Sequence, residues 1–196
     1  MKKYLVHAAA VVSIALAGFA TTASAEAPIT INAGAGYWFF DREVRGLEPD
    51  DTWTPWVGAE WAFNDNWAAE VMFADDDTEY NDGTDVDVTT WQVGMKYYGG
   101  SYIGNAFRLR PYLAFGAGEI DLDADQFDTV ETTINGGVGV RWMISRRVGL
   151  SLEGRALYSL DESETDLLTT AGLNFYLGKV DPDPEPVEVL DSDGDG

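Results

Sequence analysis

The chain is poor in three residue types that many functions require. Its 196 residues include no cysteine, one histidine (His7), and 12 Lys and Arg against 34 Asp and Glu, for a net charge of −22. The absence of cysteine excludes disulfides, thiol catalysis and cysteine metal sites. Because nucleic-acid affinity depends on Lys and Arg that neutralise phosphates, nucleic acid is not expected as a partner.

The first 25 residues have the organisation of a secretory signal peptide. A basic Met-Lys-Lys start and an apolar stretch lead to Ala-Ser-Ala at 23–25, which fits the cleavage pattern and makes Glu26 the expected mature N-terminus. The alternative, a membrane anchor, is disfavoured because the apolar stretch is short for a span. Cleavage would remove His7, so the mature chain could not form a Ser–His–Asp site. We therefore expect no enzyme.

Beyond the signal there is no run of about 20 apolar residues that could form a transmembrane helix. Instead, hydrophobic and polar residues alternate with the strand period of two from Ile29 to Gly178. The pattern predicts eight strands, over residues 29–40, 53–63, 67–74, 88–98, 108–118, 132–144, 148–158 and 167–178. The expected fold of residues 26–178 is all-β, an eight-stranded antiparallel up-and-down transmembrane β-barrel.

The predicted connections alternate between short and long. Shorter turns lie at 64–66, 99–107 and 145–147, whereas longer polar loops lie at 41–52, 75–87, 119–131 and 159–166. Short turns on one rim and long loops on the other are typical of transmembrane barrels. The long loops hold 22 of the 34 acids. This anionic cap would attract cations, although a solvated surface without a specific cation site is the simpler interpretation.

Each predicted strand has one face without charge. That face is apolar, with aromatics such as Tyr37, Trp67 and Trp142 near the strand ends. The other face carries eleven glycines and eight charged residues, which are Glu60, Glu70, Lys96, Arg108, Arg110, Arg141, Glu153 and Arg155. A soluble barrel such as a lipocalin would turn the apolar face inward. Its many large aromatics would overfill so narrow an interior, which favours a membrane barrel with the apolar face in lipid.

The eight charged residues are the candidate functional residues. Inside a narrow lumen, charges must pair or hydrogen-bond, because unpaired burial is costly. Glu70 and Lys96 lie at similar heights above their turns and are expected to pair, as are Glu153 and Arg141, with the other lumen arginines as competitors. The first interpretation is a structural salt-bridge core. The second is that the same network gates a narrow water or ion path.

Several segments resemble the OmpA/OprF group of outer-membrane proteins. They are ITINAGAGYWF in the first strand, FNDNWAAEV at the first short turn, RPYLAFGAG in the fifth strand, NGGVGVRWMISRRVGLSLEGRALYS across the sixth and seventh, and LTTAGLNFYLG in the last. The resemblance implies a barrel in the outer membrane of a Gram-negative cell, with both termini periplasmic. It implies that Glu70 and Lys96 belong to the family's lumen cluster, whereas Arg141 departs from it, since some members carry an acid there. It also implies that Phe175 is the terminal aromatic that the barrel-assembly machinery recognises.

Residues 179–196 have the composition of an acidic, Pro-rich linker followed by a truncated calcium-type repeat. Asp191, Asp193 and Asp195 match positions one, three and five of a calcium loop whose remaining ligands are missing. We expect no cofactor, and calcium at these three acids is the one candidate. Since members of the resembling family usually carry a periplasmic peptidoglycan-binding domain, the chain is interpreted as the barrel part of a longer protein.

These features predict a structural envelope component with at most a narrow, low-conductance pore. The alternative is a surface adhesion or ligand-binding barrel that acts through its acidic extracellular loops. The expected partners are outer-membrane lipid and lipopolysaccharide, the barrel-assembly machinery, and cations at the acidic loops.

Overall fold

The structure, a computed structural model, describes residues 29–40, 51–79, 83–99, 109–124 and 127–177. Eight strands contain most of them: β1 (Ile29–Phe39), β2 (Trp53–Ala62), β3 (Trp67–Glu79), β4 (Asp85–Tyr98), β5 (Leu109–Ala124), β6 (Phe127–Met143), β7 (Val148–Ser159) and β8 (Thr165–Leu177). Each strand is antiparallel to its neighbours in chain order, and β8 pairs with β1 to close the barrel. The predicted eight-stranded antiparallel barrel is confirmed. None of the described residues belongs to a helix that could cross a membrane.

Tight turns define one end of the barrel, which we call the short-turn rim. Between β2 and β3, Asn64 Oδ1 accepts hydrogen bonds of 2.9 Å from the backbone N–H groups two and three residues further on. Between β6 and β7, Ser145 Oγ accepts equivalent bonds of 3.3 and 3.1 Å. Asn and Ser favour turns because their side chains bond the backbone in this way. β1 begins and β8 ends at the same rim, where Ile29 pairs with Leu177.

The opposite end, which we call the long-hairpin rim, extends further than the sequence analysis predicts. β3 and β4 form one long hairpin, and β5 and β6 form another. The predicted loops 75–87 and 119–131 are therefore mostly strand, and that prediction was wrong. A high acid content favours loop, but these acids mostly stand at alternate positions, so the strand period of two continues through them.

Side chains alternate between the lumen and the outer surface. The large apolar residues of the predicted lipid face point outward, and Leu113, Val138 and Leu152 are 52%, 63% and 60% exposed. Polar and charged residues such as Gln92 and Arg141 point into the lumen and are buried. An apolar outer surface of this extent requires lipid around it. The apolar face therefore lies outside, and the soluble-barrel alternative is rejected.

This polarity inverts toward the long-hairpin rim. Most outward positions of β3, β4 and β5 there are acidic, and Asp87 on β4 lies directly opposite Asp123 on β5. Most inward positions are apolar and buried, and we call these the apolar layer: Trp38, Phe40, Trp56, Met72, Ala74, Val86, Val88, Ile120, Leu122, Ala124, Leu157 and Leu168. Three acids, Glu131, Glu164 and Asp166, are also buried at this end, with Glu131 opposite Ile120 and Asp166 opposite Leu157. At this end, β3, β4 and β5 are thus apolar on the inside and acidic on the outside, as strands of a water-soluble protein are.

Glycines permit close approach of strands in the wall. Gly94 on β4 and Gly116 on β5 lie opposite each other. A Cβ atom on Gly94 would clash with the carbonyl oxygen of Phe115, and one on Gly116 would clash with that of Val93. These two positions have no room for a side chain, so the lumen near them is left to longer side chains from other strands.

Candidate functional site

Six charged side chains from five strands meet in the lumen. They are Glu60 on β2, Glu70 on β3, Lys96 on β4, Arg141 on β6, and Glu153 and Arg155 on β7, and we call them the charged layer. All six are buried. Strand parity points each of them inward, and the register between strands brings them to a common height.

Lys96 is the centre of the charged layer. Its Nζ lies 3.1 Å from Glu60 Oε1, 2.8 Å from Glu70 Oε2 and 3.2 Å from Glu153 Oε2. A lysine ammonium has three donors, so three carboxylates are the number that it can bind. The ion pair expected between Glu70 and Lys96 is therefore present, as one of three.

Glu60 receives donors from four different side chains. Arg141 binds it in bidentate fashion, with Nη2 2.7 Å from Oε1 and Nη1 3.1 Å from Oε2. Lys96 Nζ donates to Oε1, the Tyr98 hydroxyl donates to Oε2 at 2.7 Å, and the Asn32 amide donates to Oε1 at 2.9 Å. Charge-assisted, bidentate geometry is the strongest form of such pairing, and it holds this carboxylate ionised in the lumen.

Arg155 joins the other two carboxylates. Its Nη2 contacts Glu70 Oε1 and Glu153 Oε1, and its Nε donates to Glu153 Oε1 at 2.7 Å. Glu153 is thus paired with Arg155 and Lys96, and the predicted Glu153–Arg141 pair is corrected. The cause is register: Arg141 lies opposite Ser151 on β7 and extends across the lumen to Glu60, whereas Glu153 lies opposite Gly139.

The remaining predicted site residues have different positions. Arg110 is buried and lies opposite Arg141 in the β5–β6 register, beside the charged layer. Arg108 lies outside the described residues, as do the predicted signal peptide and the tail with Asp191, Asp193 and Asp195. Within the described residues, no group of three or more His, Cys, Asp or Glu is arranged to hold a metal ion.

Three tyrosines that the sequence analysis did not single out surround the cations of the charged layer. The Arg141 guanidinium carbon lies 5.0, 5.9 and 5.8 Å from the ring centroids of Tyr98, Tyr112 and Tyr176. Lys96 Nζ lies 4.9 Å from the Tyr112 centroid, and Arg141 Nη1 donates to the Tyr176 hydroxyl at 3.2 Å. Cation–π contacts of this kind are strengthened where water is excluded. Strand parity already points all three inward, and this is the signal that could have identified them.

A neutral polar layer lies between the charged layer and the apolar layer. Gln92 Nε2 donates to Thr90 and Thr133 at 3.0 and 3.1 Å, and the Asn135 amide donates to Gln92 Oε1 at 2.7 Å. On β4 the succession is visible along one face, since charged Lys96, neutral Gln92 and apolar Val88 are four residues apart and all buried. Along β4 the lumen is therefore filled from a charged level, through a neutral level, to an apolar level.

The three carboxylates and three cations of the charged layer balance to zero. Each carboxylate is bound by two cationic groups, which are Lys96 and one arginine. Such an arrangement can hold strands together and obstruct ions, and it can open a path when partners exchange. It offers no accessible acid or base to a substrate.

The outward apolar residues, such as Leu113, Val138 and Leu152, form an apolar belt around the barrel. A closed barrel with such a belt, a polar lumen and one short-turn rim defines the class of outer-membrane β-barrel proteins. Residues 8–178 match the outer membrane protein beta-barrel domain family, and the chain belongs to that family. The resemblance to OmpA/OprF-type barrels is thus confirmed, and the protein is placed in the outer membrane of a Gram-negative cell. No curated protein sequence matches the chain at a significant level.

Solved structures of outer-membrane barrels share the fold. The N-terminal β-barrel domain of Pseudomonas aeruginosa OprF is 16% identical, with a TM-score of 0.55 over 79% of this chain and 100% of that chain. Neisserial surface protein A (NspA) is 17% identical, with a TM-score of 0.58 over 75% of this chain and 96% of that chain. Ail, the attachment invasion locus protein of Yersinia pestis, in complex with the heparin analogue sucrose octasulfate, is 12% identical, with a TM-score of 0.53 over 78% and 99%. Identities this low show a common fold.

Proposed function

We propose that this protein is a structural component of the outer membrane whose lumen is sealed, with at most a narrow, low-conductance pore. The observation that carries the proposal is the succession of charged, neutral and apolar layers across the described lumen. We orient the barrel with the short-turn rim and both chain ends in the periplasm, and with the long-hairpin rim outside the cell. Short turns face the periplasm in barrels of this class.

An ion that entered the lumen would meet two different barriers. In the charged layer it would have to displace a partner of Lys96 or Arg155, each of which already binds two or three carboxylates. At the level of the apolar layer it would lose most of its hydration, because most inward side chains there are apolar, and hydrophobic constrictions close by dewetting in this way. The buried acids at this level, Glu131 and Asp166, already have interactions of their own. Exchange of partners within the charged layer opens the first barrier and leaves the second in place.

The geometry also supports a role without catalysis. A general acid or base has to reach its substrate within hydrogen-bond distance. The carboxylates of the charged layer are buried and already bound by Lys and Arg side chains. The protein is therefore proposed not to be an enzyme.

Single-channel recording in planar bilayers tests the sealed lumen. The wild-type chain should remain closed or show only small, rare conductance steps. The control is the double variant Met72→Ser and Ile120→Ser, which makes the apolar layer polar and should raise the frequency of openings. Sustained large steps in the wild-type chain would overturn the proposal.

The runner-up function is adhesion or ligand binding at the long-hairpin rim, and one observation favours it. Asp77, Asp87 and Asp123 form a row across the outer face of β3, β4 and β5, on hairpins that extend beyond the apolar belt. Such a row would attract cationic ligands and would repel a sulfated ligand of the kind seen with Ail. Replacing the three acids with asparagine tests this function, because the triple variant keeps the inward apolar layer intact. Loss of cell or ligand binding by this variant, with an intact envelope, would support adhesion instead.

The remaining parts of the proposal concern partners. Phe175 points outward near the end of β8, where the assembly machinery would recognise it, and the belt contacts outer-membrane lipid and lipopolysaccharide. Cations at the acidic rim, and calcium at Asp191, Asp193 and Asp195, stay proposals that equilibrium dialysis with Ca²⁺ can test. Anchoring to peptidoglycan depends on a further domain, and the coding sequence downstream of Gly196 tests it directly.

A further inference from the structure

The outer surface of the apolar belt contains a depression that the proposed function does not use. It is a groove of about 690 Å³ that extends from Tyr97 on β4 to Thr169 on β8, and Leu113, Val138, Val140, Leu152 and Gly154 on β5, β6 and β7 line its middle. Val138 and Leu152 project from the wall and are among the most exposed side chains of the belt. Gly154 lies opposite Val138 and two residues after Leu152, and a Cβ atom there would meet nothing within 4 Å. The groove is therefore a notch in the belt that an apolar chain can fill.

Two arginines lie at the rim next to this groove. The turn that joins β6 to β7 carries Arg146, which is half-buried, and Arg147, which is exposed. From position 132 to position 158, the outward side chains of β6 and β7 are uncharged. The guanidinium groups are thus the nearest charges to the groove on the outer side of these two strands, and both are positive; Glu153, which also borders the groove, points into the lumen and is bound by Lys96 and Arg155.

The separation between the groove and the arginines matches one leaflet. Val138 and Gly154 lie opposite each other, and each is six residues from the residues that close the β6–β7 turn, Ile144 and Val148, which is about 20 Å along strands that rise about 3.3 Å per residue. Strands tilted by roughly 35–45° convert this to about 14–16 Å of depth. Half of a hydrocarbon core of about 30 Å is about 15 Å. The arginines therefore lie at headgroup level when the groove lies among the acyl chains.

We propose that this face binds one anionic phospholipid. Arg146 and Arg147 bind its phosphate, and one acyl chain lies in the groove over Gly154. Arginine suits the phosphate because its planar fork can donate two parallel hydrogen bonds. The assignment to the periplasmic leaflet rests on the orientation proposed above, whereas the site itself depends neither on that orientation nor on a sealed lumen.

Native mass spectrometry of the full chain, released from vesicles with equal amounts of phosphatidylglycerol and phosphatidylethanolamine, tests the site. The wild-type chain should retain one phosphatidylglycerol. Gly154→Leu fills the groove and should lower that retention by about tenfold, as expected for losing a well-fitted contact. Gly136→Leu is the matched control, because Gly136 also points outward with nothing within 4 Å of its Cβ position, and it lies outside the groove. It should behave as wild type.

The arginines provide a second variant that does not alter the barrel wall. Arg146→Gln with Arg147→Gln should abolish the preference for phosphatidylglycerol over phosphatidylethanolamine, and urea unfolding checks that every variant is folded. Retention by folded Gly154→Leu equal to that of wild type would overturn the proposal. So would an unchanged lipid preference in the arginine variant, preferential retention of lipid A, or a dimer of the chain that Gly154→Leu dissociates.

Discussion

Replacing Lys96 with methionine removes the central cation of the charged layer and should destabilise the barrel strongly. Methionine keeps a long unbranched side chain, so the change is mainly one of charge. The three carboxylates Glu60, Glu70 and Glu153 would then face two cations of the charged layer, and the balance of that layer would change from zero to −1.

The expected magnitude follows from the partners that remain. Removing one member of a buried ion pair costs about 3–5 kcal/mol. After the substitution, Glu60 would still bind Arg141, and Glu70 and Glu153 would still bind Arg155. No carboxylate would lose all of its cations, so we expect the lower end of the range, about 3 kcal/mol.

Equilibrium unfolding in urea, in phospholipid vesicles and followed by tryptophan fluorescence, measures the loss. The double variant Lys96→Met with Glu153→Gln leaves two carboxylates and two cations, so it should recover about 1–2 kcal/mol of coupling energy. A loss below about 1 kcal/mol for Lys96→Met would mean that water solvates the charged layer. Absence of coupling in the double variant would also refute the reasoning.

Three further outcomes are expected. In planar bilayers, the Lys96→Ala channel should stay closed because the apolar layer remains, whereas Lys96→Ala combined with Ile120→Ser should show openings. Equal current traces for the two variants would contradict a second barrier in the apolar layer. Val138→Arg should cost about 2–4 kcal/mol of unfolding free energy near the bilayer midplane. Val130→Arg, on the same strand and face, should be tolerated because Val130 continues the cross-strand row formed by Asp75, Thr89 and Asp121. Equal losses for the two variants in vesicle unfolding would show that the belt is misplaced. Asp87→Asn should stabilise the hairpin end by about 0.2–1 kcal/mol in low salt, because both cross-strand neighbours of Asp87 are aspartates; an effect of the opposite sign would show that these acids bind a cation.

The alternation of residue types predicts the strands and the direction of each side chain, because both are local properties of the backbone. It does not predict height in the barrel, which depends on the register of strands far apart in sequence. Glu70 and Lys96 lie on paired strands, and their contact could be predicted. Arg141 binds Glu60 across the lumen, 81 residues away in sequence, and nothing local indicates that partner.

Strand length was predicted least well, for a physical reason. Acids such as Asp121 and Asp123 favour loops when composition is considered alone. Here they lie on the outer face of strands that have left the lipid, while Ile120 and Leu122, which alternate with them, point into the apolar layer. Within the membrane, the outward residues of such a strand are apolar and the inward residues are polar. Above the membrane, its outward residues are acidic and its inward residues are apolar.

The boundary between the apolar and the acidic part of the outer surface is sharp, and it constrains the surrounding bilayer. Trp91 lies at the top of the belt on β4, and its indole N–H donates a 3.1 Å hydrogen bond to Glu119 on β5. A bilayer thicker than the belt could cover the next residues only by burying carboxylates such as Asp121, which is costly. Mismatch with a thicker bilayer must therefore be absorbed by thinning of the lipid, and not by a vertical shift of the barrel. The protein thus imposes a bilayer thickness on its surroundings.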